Sequence, residues 1–118
     1  QEGVRKLVEL AGPSVAARVL YSAELFPAQQ ALAMGLVTDV VPRDLLEDTV
    51  LSLATRIAGN APLTIKATKA AIRAIGGAKG APSADEVAGH VSACFASEDY
   101  SEGRRAFAEK RKPVFKGH

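Results

Sequence analysis

Residues 94–115 read CFASEDYSEGRRAFAEKRKPVF, and this stretch carries most of the information about the fold. Ser97 is a helix-capping residue, and two acidic residues follow it at positions where negative charge favours the start of a helix. The stretch therefore predicts a last helix that begins after Ser97 and ends at Pro113, because proline cannot continue a helix. Two apolar residues are expected to be buried in it, Ala106 and Phe107.

Helical periodicity continues through the sequence that precedes this stretch. Apolar residues recur three and four positions apart, and alanine, which costs least in a helix, is abundant. Gly12 and Pro13 separate two helices, because glycine ends a helix and proline suits the first turn of the next one. Ser83 and Glu86 form a capping-box pattern ahead of another helix. The chain is thus predicted to be mainly α, with further helices over residues 28–34 and 43–59.

Residues 36–41 read LVTDVV and are the one clear β signal in the sequence. The segment is short, rich in β-branched residues, and bounded by Gly35 and Pro42. One strand cannot form a sheet, so this one would pair outside the sequence, pair between chains, or run as an isolated extended segment. Because the sequence also lacks an initiator methionine, we expect it to be part of a longer protein.

The composition is that of an ordinary globular protein, with 47% apolar and 24% charged residues and a formal net charge of +2. A single cysteine excludes an internal disulfide and fits a reducing compartment, so we expect a cytoplasmic protein. No run of about 18 apolar residues is present, so no membrane partner is expected. These properties exclude a disulfide-rich scaffold and a disordered chain.

Few residues suggest chemistry on their own. His90 and His118 cannot be paired by spacing, so no metal site is predicted. Cys94 lies at helical spacing among apolar residues and is expected to be a small buried hydrophobe, because nothing near it in sequence would lower its pKa. The glycine-rich residues 76–82 follow no strand and lack the lysine and hydroxyl of a phosphate loop, so they are expected to be a plain linker.

Basic residues form two groups. Residues 100–118 contain six basic and two acidic residues, so positive charge is concentrated at the C-terminus. Most such groups are solvated faces, but a phosphorylated small molecule or a nucleic acid is an alternative partner. Few aromatic residues lie among the basic ones and the net charge is modest, so nucleic acid is the least favoured of these partners. The two groups are Lys66, Lys69 and Arg73, and Lys110, Arg111, Lys112 and Lys116.

Three stretches of the sequence resemble the enoyl-CoA hydratase/isomerase (crotonase) family. Residues 94–115 look like the C-terminal signature of that family nearly throughout. Residues 28–42 are similar to a second segment of that family. In this segment a short helix stops at a glycine, and a leucine-valine pair then begins a valine-rich stretch. Residues 57–70 resemble its asparagine-proline joint between two helices.

The resemblance implies a larger parent with a crotonase-like α/β fold, of which this chain would be the C-terminal helical part. Residues 1–42 would end the spiral core, and residues 43–118 would form a C-terminal helical oligomerisation region that packs in a trimer or a dimer of trimers. The parent would be a lyase of fatty acid metabolism that adds water to a trans-2-enoyl-CoA to give a 3-hydroxyacyl-CoA. Isomerase, dehydratase and hydrolase members share this pattern. Acyl-CoA is implied as substrate, and no cofactor.

The catalytic groups of the family belong to segments that precede the stretches resembled here. Two backbone N–H groups hold the thioester oxygen in family members, and in the hydratases two glutamates handle the water and its proton. No catalytic residue is therefore assigned, and the chain alone is expected to be inactive. One ligand role carries over to Lys110, the lysine that in some members reaches the adenosine-phosphate end of CoA. Val91 departs from an aromatic residue that helps to hold the adenine in some members.

Two other classes of function stay open beside the family expectation. In the first, the helices serve as an oligomerisation module without a ligand, and the apolar faces around residues 36–41 and 87–95 would drive self-association. In the second, the basic groups bind nucleic acid with an affinity that falls steeply as salt rises. The family resemblance itself implies no nucleic-acid partner.

Overall fold

The computed structural model of the chain describes residues 1–77 and 79–118. Over those residues it contains six α-helices and one short 3-10 turn, so the prediction of a mainly α chain is confirmed. The chain divides into two compact units, residues 1–49 and residues 50–118. The expected linker over residues 76–82 includes Ala78, which lies outside the described residues. No helix in the described part of the chain combines the length and hydropathy that a bilayer crossing needs.

The first unit begins with helix α1, Glu2–Ser22, which is broken in the middle. Gly12 has φ 81° and ψ 163°, a conformation that residues with a Cβ atom rarely adopt, and Pro13 starts the second half of the helix. The predicted separation of two helices at Gly12 and Pro13 is therefore confirmed. Ala16, in the second half, is only 2% exposed.

Helix α2, Ala28–Ala33, ends in a left-handed glycine turn. Gly35 has φ 73°, its N–H donates to the carbonyl of Leu32 at 3.0 Å, and the N–H of Leu36 donates to that of Ala31 at 2.9 Å. These two bonds satisfy carbonyls that the end of a helix would otherwise leave unpaired. The prediction of a short helix that stops at Gly35 is confirmed.

Residues 36–41 form no paired strand in this chain, so the alternative in which the segment runs without a partner is the one that the structure has. Residues 36–42 belong to no helix or strand, and the 3-10 turn Arg43–Leu45 follows them. A strand exists only where a second strand accepts and donates its backbone hydrogen bonds, and none of the described residues supplies one. The β-branched composition is therefore present, but the segment runs unpaired.

The second unit contains most of helix α3, Leu46–Ala58, and then helices α4, Pro62–Ile75, α5, Ala84–Phe95, and α6, Glu98–Ala108. Helix α4 packs against α5, and α5 against α6. The 3-10 turn and α3 together account for the helix that was predicted over residues 43–59.

Two serine caps begin the last two helices as predicted. The Ser83 hydroxyl accepts the N–H of Glu86 at 3.2 Å, and the Glu86 carboxylate accepts the N–H of Ser83 at 2.8 Å. The Ser97 hydroxyl accepts the N–H of Tyr100 at 3.0 Å and donates to the carbonyl of Cys94 at 2.7 Å. Each serine thus satisfies a backbone donor that its helix leaves unpaired. Ser97 also joins the end of α5 to the start of α6.

Among the residues that the structure describes, the buried apolar ones are all alanines: Ala16, Ala67, Ala70 and Ala106. Phe107 is 87% exposed, so the prediction that it is buried is wrong, whereas the same prediction for Ala106 is confirmed. Large apolar side chains remain accessible in both units, among them Leu25 at 100% and Ile75 at 87% exposed.

Candidate functional site

The C-terminal tail, residues 111–118, folds back along α6 and is held there by an acidic side chain in the first turn of that helix. Asp99 is 3% exposed, and its carboxylate accepts the N–H groups of Lys116 at 2.6 Å and Gly117 at 2.8 Å. The N–H of Asp99 donates in turn to the carbonyl of His118 at 3.2 Å. Asp99 therefore anchors the tail, in addition to its expected place in the first helical turn.

A second acidic residue of α6 holds the start of the tail. One guanidinium nitrogen of Arg111 donates to a Glu102 oxygen at 2.6 Å, and the other terminal nitrogen donates to the second oxygen at 3.0 Å. Arg105 donates to the same carboxylate at 2.8 Å, and the N–H of Val114 donates at 3.0 Å. The Glu102 side chain is 12% exposed. Asp99, Glu102 and Arg111 are called the tail clasp below.

The hydrogen bonds between Glu102 and Arg111 shift the pKa values of these two residues. Hydrogen bonds from Arg111, then Arg105, then the backbone of Val114 lower the pKa of Glu102 far below its usual range, because each stabilises the carboxylate. Hydrogen bonds to Glu102 and Glu109 raise the pKa of Arg111. Both shifts favour the charged forms, so Glu102 and Arg111 form an ion pair at neutral pH.

Lys110, the predicted phosphate-contacting residue, lies in the turn between α6 and the tail. Its backbone is left-handed with φ 53°, which is uncommon for a residue with a side chain. The turn is closed by two hydrogen bonds, from the N–H of Lys110 to Phe107 at 3.2 Å and from that of Arg111 to Ala106 at 3.0 Å. Helix α6 thus ends at Ala108, before this turn, rather than at Pro113 as predicted. Lys110 is exposed, and no carboxylate among the described residues pairs with its ammonium group.

An apolar groove of about 690 Å³ lies between α4, α5, α6 and the tail. The rings of Phe95 and Tyr100 meet edge to face in its wall, with centroids 5.2 Å apart, and Phe115 packs 3.7 Å from the position that a Cβ atom at Gly103 would take. Cys94 is half-buried in the wall, less buried than the sequence predicted. Such a groove accommodates apolar atoms.

The remaining sequence candidates do not converge on one site. His90 is half-buried on α5, whereas the exposed His118 lies with its Nε2 atom 3.6 Å from Glu98. Over residues 1–77 and 79–118, no three His, Cys, Asp or Glu side chains are placed to hold a metal ion. Val91 is 41% exposed on the wall of the groove.

The two basic groups differ in what their members contact. On α4, Lys66 and Lys69 are exposed, while Arg73 donates to the carbonyl of Gly80 at 3.2 Å. In the C-terminal group, Arg111 is committed to the tail clasp, so the charges open to a ligand are those of three lysines. Sequence reasoning missed the clasp, because Glu102 and Arg111 are separated by nine positions and no helical spacing pairs them. The three lysines are Lys110, Lys112 and Lys116.

Comparison with known proteins identifies relatives over nearly the whole chain. The sequence pattern of the enoyl-CoA hydratase/isomerase family matches residues 2–118. Methylmalonyl-CoA decarboxylase of Escherichia coli is 38% identical over 118 residues, which are 98% of this chain and 45% of that protein. The 2,3-dehydroadipyl-CoA hydratase of the same organism is 36% identical, over 98% of this chain and 45% of its own length. Crotonyl-CoA hydratase of Syntrophomonas wolfei is 35% identical, over 96% of this chain and 44% of its own length.

Solved structures give the same result. An enoyl-CoA hydratase/carnithine racemase from Magnetospirillum magneticum superposes with a TM-score of 0.85 and 31% identity, over 100% of this chain and 43% of that one. An enoyl-CoA hydratase subunit from Geobacillus kaustophilus superposes with a TM-score of 0.82 and 34% identity, over 98% of this chain and 45% of that one. The chain spans less than half the length of the relatives it matches. With a family pattern that covers residues 2–118, this chain belongs to the enoyl-CoA hydratase/isomerase family.

Proposed function

We propose that this chain is the C-terminal helical part of an enoyl-CoA hydratase whose complete form adds water to a trans-2-enoyl-CoA to give a 3-hydroxyacyl-CoA. One observation supports the proposal most directly. Residues 94–115 resemble the C-terminal signature of the family, and within them the tail clasp holds the tail against α6. Hydration is chosen because two of the relatives named above are hydratases. Another of the relatives named above is a decarboxylase, so other reactions of CoA thioesters are alternatives to hydration.

We further propose that the chain by itself lacks catalytic groups. Its most enclosed carboxylates, those of Asp99 and Glu102, are occupied by backbone N–H groups and arginines, and that of Glu86 caps α5. A general base must be able to reach a substrate proton, and these three are engaged in holding the fold. The glutamates that the family uses would lie in a preceding segment.

The test is to mix the purified chain with crotonyl-CoA and to follow the loss of the enoyl absorbance. We expect no turnover above the buffer rate, whereas turnover comparable to that of a full-length enzyme would contradict the proposed incompleteness. The parent reaction is tested on the protein encoded with the residues that precede Gln1. Two suitably spaced glutamates and a glycine-rich turn in that segment, with hydration of crotonyl-CoA, are the expected result.

We propose that Lys110 contacts the adenosine-phosphate end of CoA. Its ammonium group is exposed and has no carboxylate partner in the described parts of the chain, and a lysine suits phosphate as a point charge. Besides this substrate we propose no cofactor, and we propose a cytoplasmic protein. The domain division into residues 1–42 and 43–118 stays a prediction.

A second proposed role is assembly into a homo-oligomer, a trimer or a dimer of trimers. One observation favours it: the apolar side chains of α3 are about half exposed, with Val50 at 55%, Leu53 at 52% and Ile57 at 46%. An amphipathic helix with an uncovered apolar face is expected to pack against another surface. That surface would belong to the rest of the parent or to a neighbouring subunit.

A further inference from the structure

The left-handed turn at Lys110 and the tail clasp share one residue, Arg111, which directly follows Lys110. A left-handed conformation disfavours every residue that carries a Cβ atom, and glycine is the usual occupant of this position after a helix. A lysine here therefore costs free energy that the surrounding contacts must offset. Arg111, the next residue, supplies such contacts through its two bonds to Glu102 at 2.6 Å and 3.0 Å.

We propose that Glu102 is a positioning residue for Lys110: by binding Arg111 it holds the left-handed turn from which the Lys110 side chain extends toward an anionic phosphate. This inference rests on the proposed contact between Lys110 and CoA. Glu102 itself touches no ligand in the proposal. It acts through Arg111 and the backbone of the turn.

The same contacts keep the charge of Lys110 available. The carboxylate nearest to it in sequence, that of Glu109, accepts a hydrogen bond from the Nε atom of Arg111 at 2.5 Å. Glu102 is occupied by Arg111 and Arg105. Since both acidic neighbours are neutralised by arginines, the positive charge of Lys110 is left for a ligand rather than consumed within the turn.

Charge and position predict opposite effects for one substitution, which makes the proposal testable. Glu102→Gln removes a negative charge from the neighbourhood of the bound phosphate, so a purely electrostatic effect would tighten binding. If Glu102 positions Lys110, the same substitution releases Arg111 and weakens binding. Glu98→Gln is the matched control, because Glu98 lies on the same helix, its side chain is 77% exposed, and it takes no part in the clasp.

The experiment measures binding of CoA and of 3′-dephospho-CoA, which lacks the terminal phosphate, to the purified chain by NMR titration. The chains compared are wild type, Glu102→Gln, Glu98→Gln, Lys110→Ala and the double variant with Glu102→Gln and Lys110→Ala. We expect wild type to prefer CoA, and Glu102→Gln to lose most of that preference while Glu98→Gln keeps it. In the Lys110→Ala background, Glu102→Gln should have no further effect. Hydrogen exchange at the Arg111 amide should quicken in Glu102→Gln without ligand.

Each other outcome overturns the inference in an identifiable way. If Lys110→Ala abolishes the preference for CoA but Glu102→Gln retains or strengthens it, the Lys110 contact stands and the positioning role fails. If Glu102→Gln weakens binding equally with and without Lys110, Glu102 acts on general structure and not through that lysine. If wild type does not distinguish CoA from 3′-dephospho-CoA, the proposed Lys110 contact fails, and the inference that rests on it fails too.

Discussion

At the scale of single residues, the fold of the C-terminal segment depends on polar groups rather than on large apolar side chains. Asp99 is as buried as the alanines of the core, and Glu102 gathers two arginines and a backbone N–H around one carboxylate. Bonds to a charged acceptor are stronger than neutral ones, and they are lost when the acceptor is protonated.

The depressed pKa of Glu102 predicts how stability depends on acid. In the unfolded chain a glutamate titrates near pH 4.3, at about its model-peptide value. Because the pKa of Glu102 is lower in the folded state, its contribution to stability is present above that pH and is lost as the pH falls toward the folded value. We expect Glu102→Gln to lower the melting temperature at pH 7 and to lower it by a smaller amount at pH 2.5, where part of the Glu102 contribution has already been lost, as followed by circular dichroism. An equal difference at both pH values would disprove this assignment, and Glu98→Gln is the control.

The backbone of Lys110 predicts a substitution that increases stability. Lys110→Gly removes the steric cost of the left-handed turn, and glycine also gives flexibility to the unfolded chain, so we expect a net gain of about 0.5–1 kcal/mol in the free energy of unfolding. Lys112→Gly is the matched control, since Lys112 is exposed and has no positive φ, and it should bring no gain. Urea unfolding of both variants measures the difference. A loss of stability in Lys110→Gly would show that the side chain itself supports the turn.

At the scale of elements, four of the helices are broken, begun or ended by residues that act over a few positions of the chain. Glycine breaks α1 and closes α2, and serine caps begin α5 and α6. The Ser97 cap has the widest consequences, because its hydroxyl bonds both the end of α5 and the start of α6. It therefore fixes the joint between two packed helices.

Ser97→Ala should lower the free energy of unfolding by about 1–2 kcal/mol, toward the upper end of the range for capping residues, since one hydroxyl makes two hydrogen bonds. Ser101→Ala is the control: Ser101 is exposed on the same helix, and its hydroxyl makes no hydrogen bond to the described residues. Chemical denaturation followed by circular dichroism measures both. Equal effects of the two substitutions would rule out a special role for the cap.

At the scale of the whole molecule, the burial of apolar surface is incomplete. The apolar core consists of alanines, while the large side chains of α3 and of α6 stay accessible. At roughly 25 cal/mol per Å² of apolar area, covering this surface would be strongly favourable. This is the property expected of a segment that packs against further protein.

The exposed face of α3 predicts self-association of the isolated chain. We expect sedimentation to show a molecular mass that rises with protein concentration, because uncovered leucine, valine and isoleucine side chains attract one another in water. The triple variant of α3 with Val50, Leu53 and Ile57 changed to serine should reduce that rise. The same three changes to alanine keep the helix and test whether apolar area is the cause, with an intermediate effect expected. A clean monomer at high concentration in the wild type would refute the prediction.

Local interactions were predictable from the sequence of this chain because they act over short separations. The caps at Ser83 and Ser97 reach three residues along the chain, and the glycine turns need only the residues beside them. The starts of α5 and α6 and the breaks at Gly12 and Gly35 therefore followed from residue type and spacing, whereas the end of α6 did not. The resemblance of residues 94–115 pointed to the family that the comparisons identify.

The tertiary structure alone decided which side chains meet across longer separations. Asp99 reaches Lys116 across 17 positions, and Glu102 reaches Arg111 across nine, only because the chain reverses at the left-handed turn of Lys110. No periodicity encodes that reversal. The burial of Phe107 was predicted wrongly, and the pairing of residues 36–41 was left open by the sequence, for the same reason: burial and strand pairing depend on which neighbours the rest of the molecule supplies.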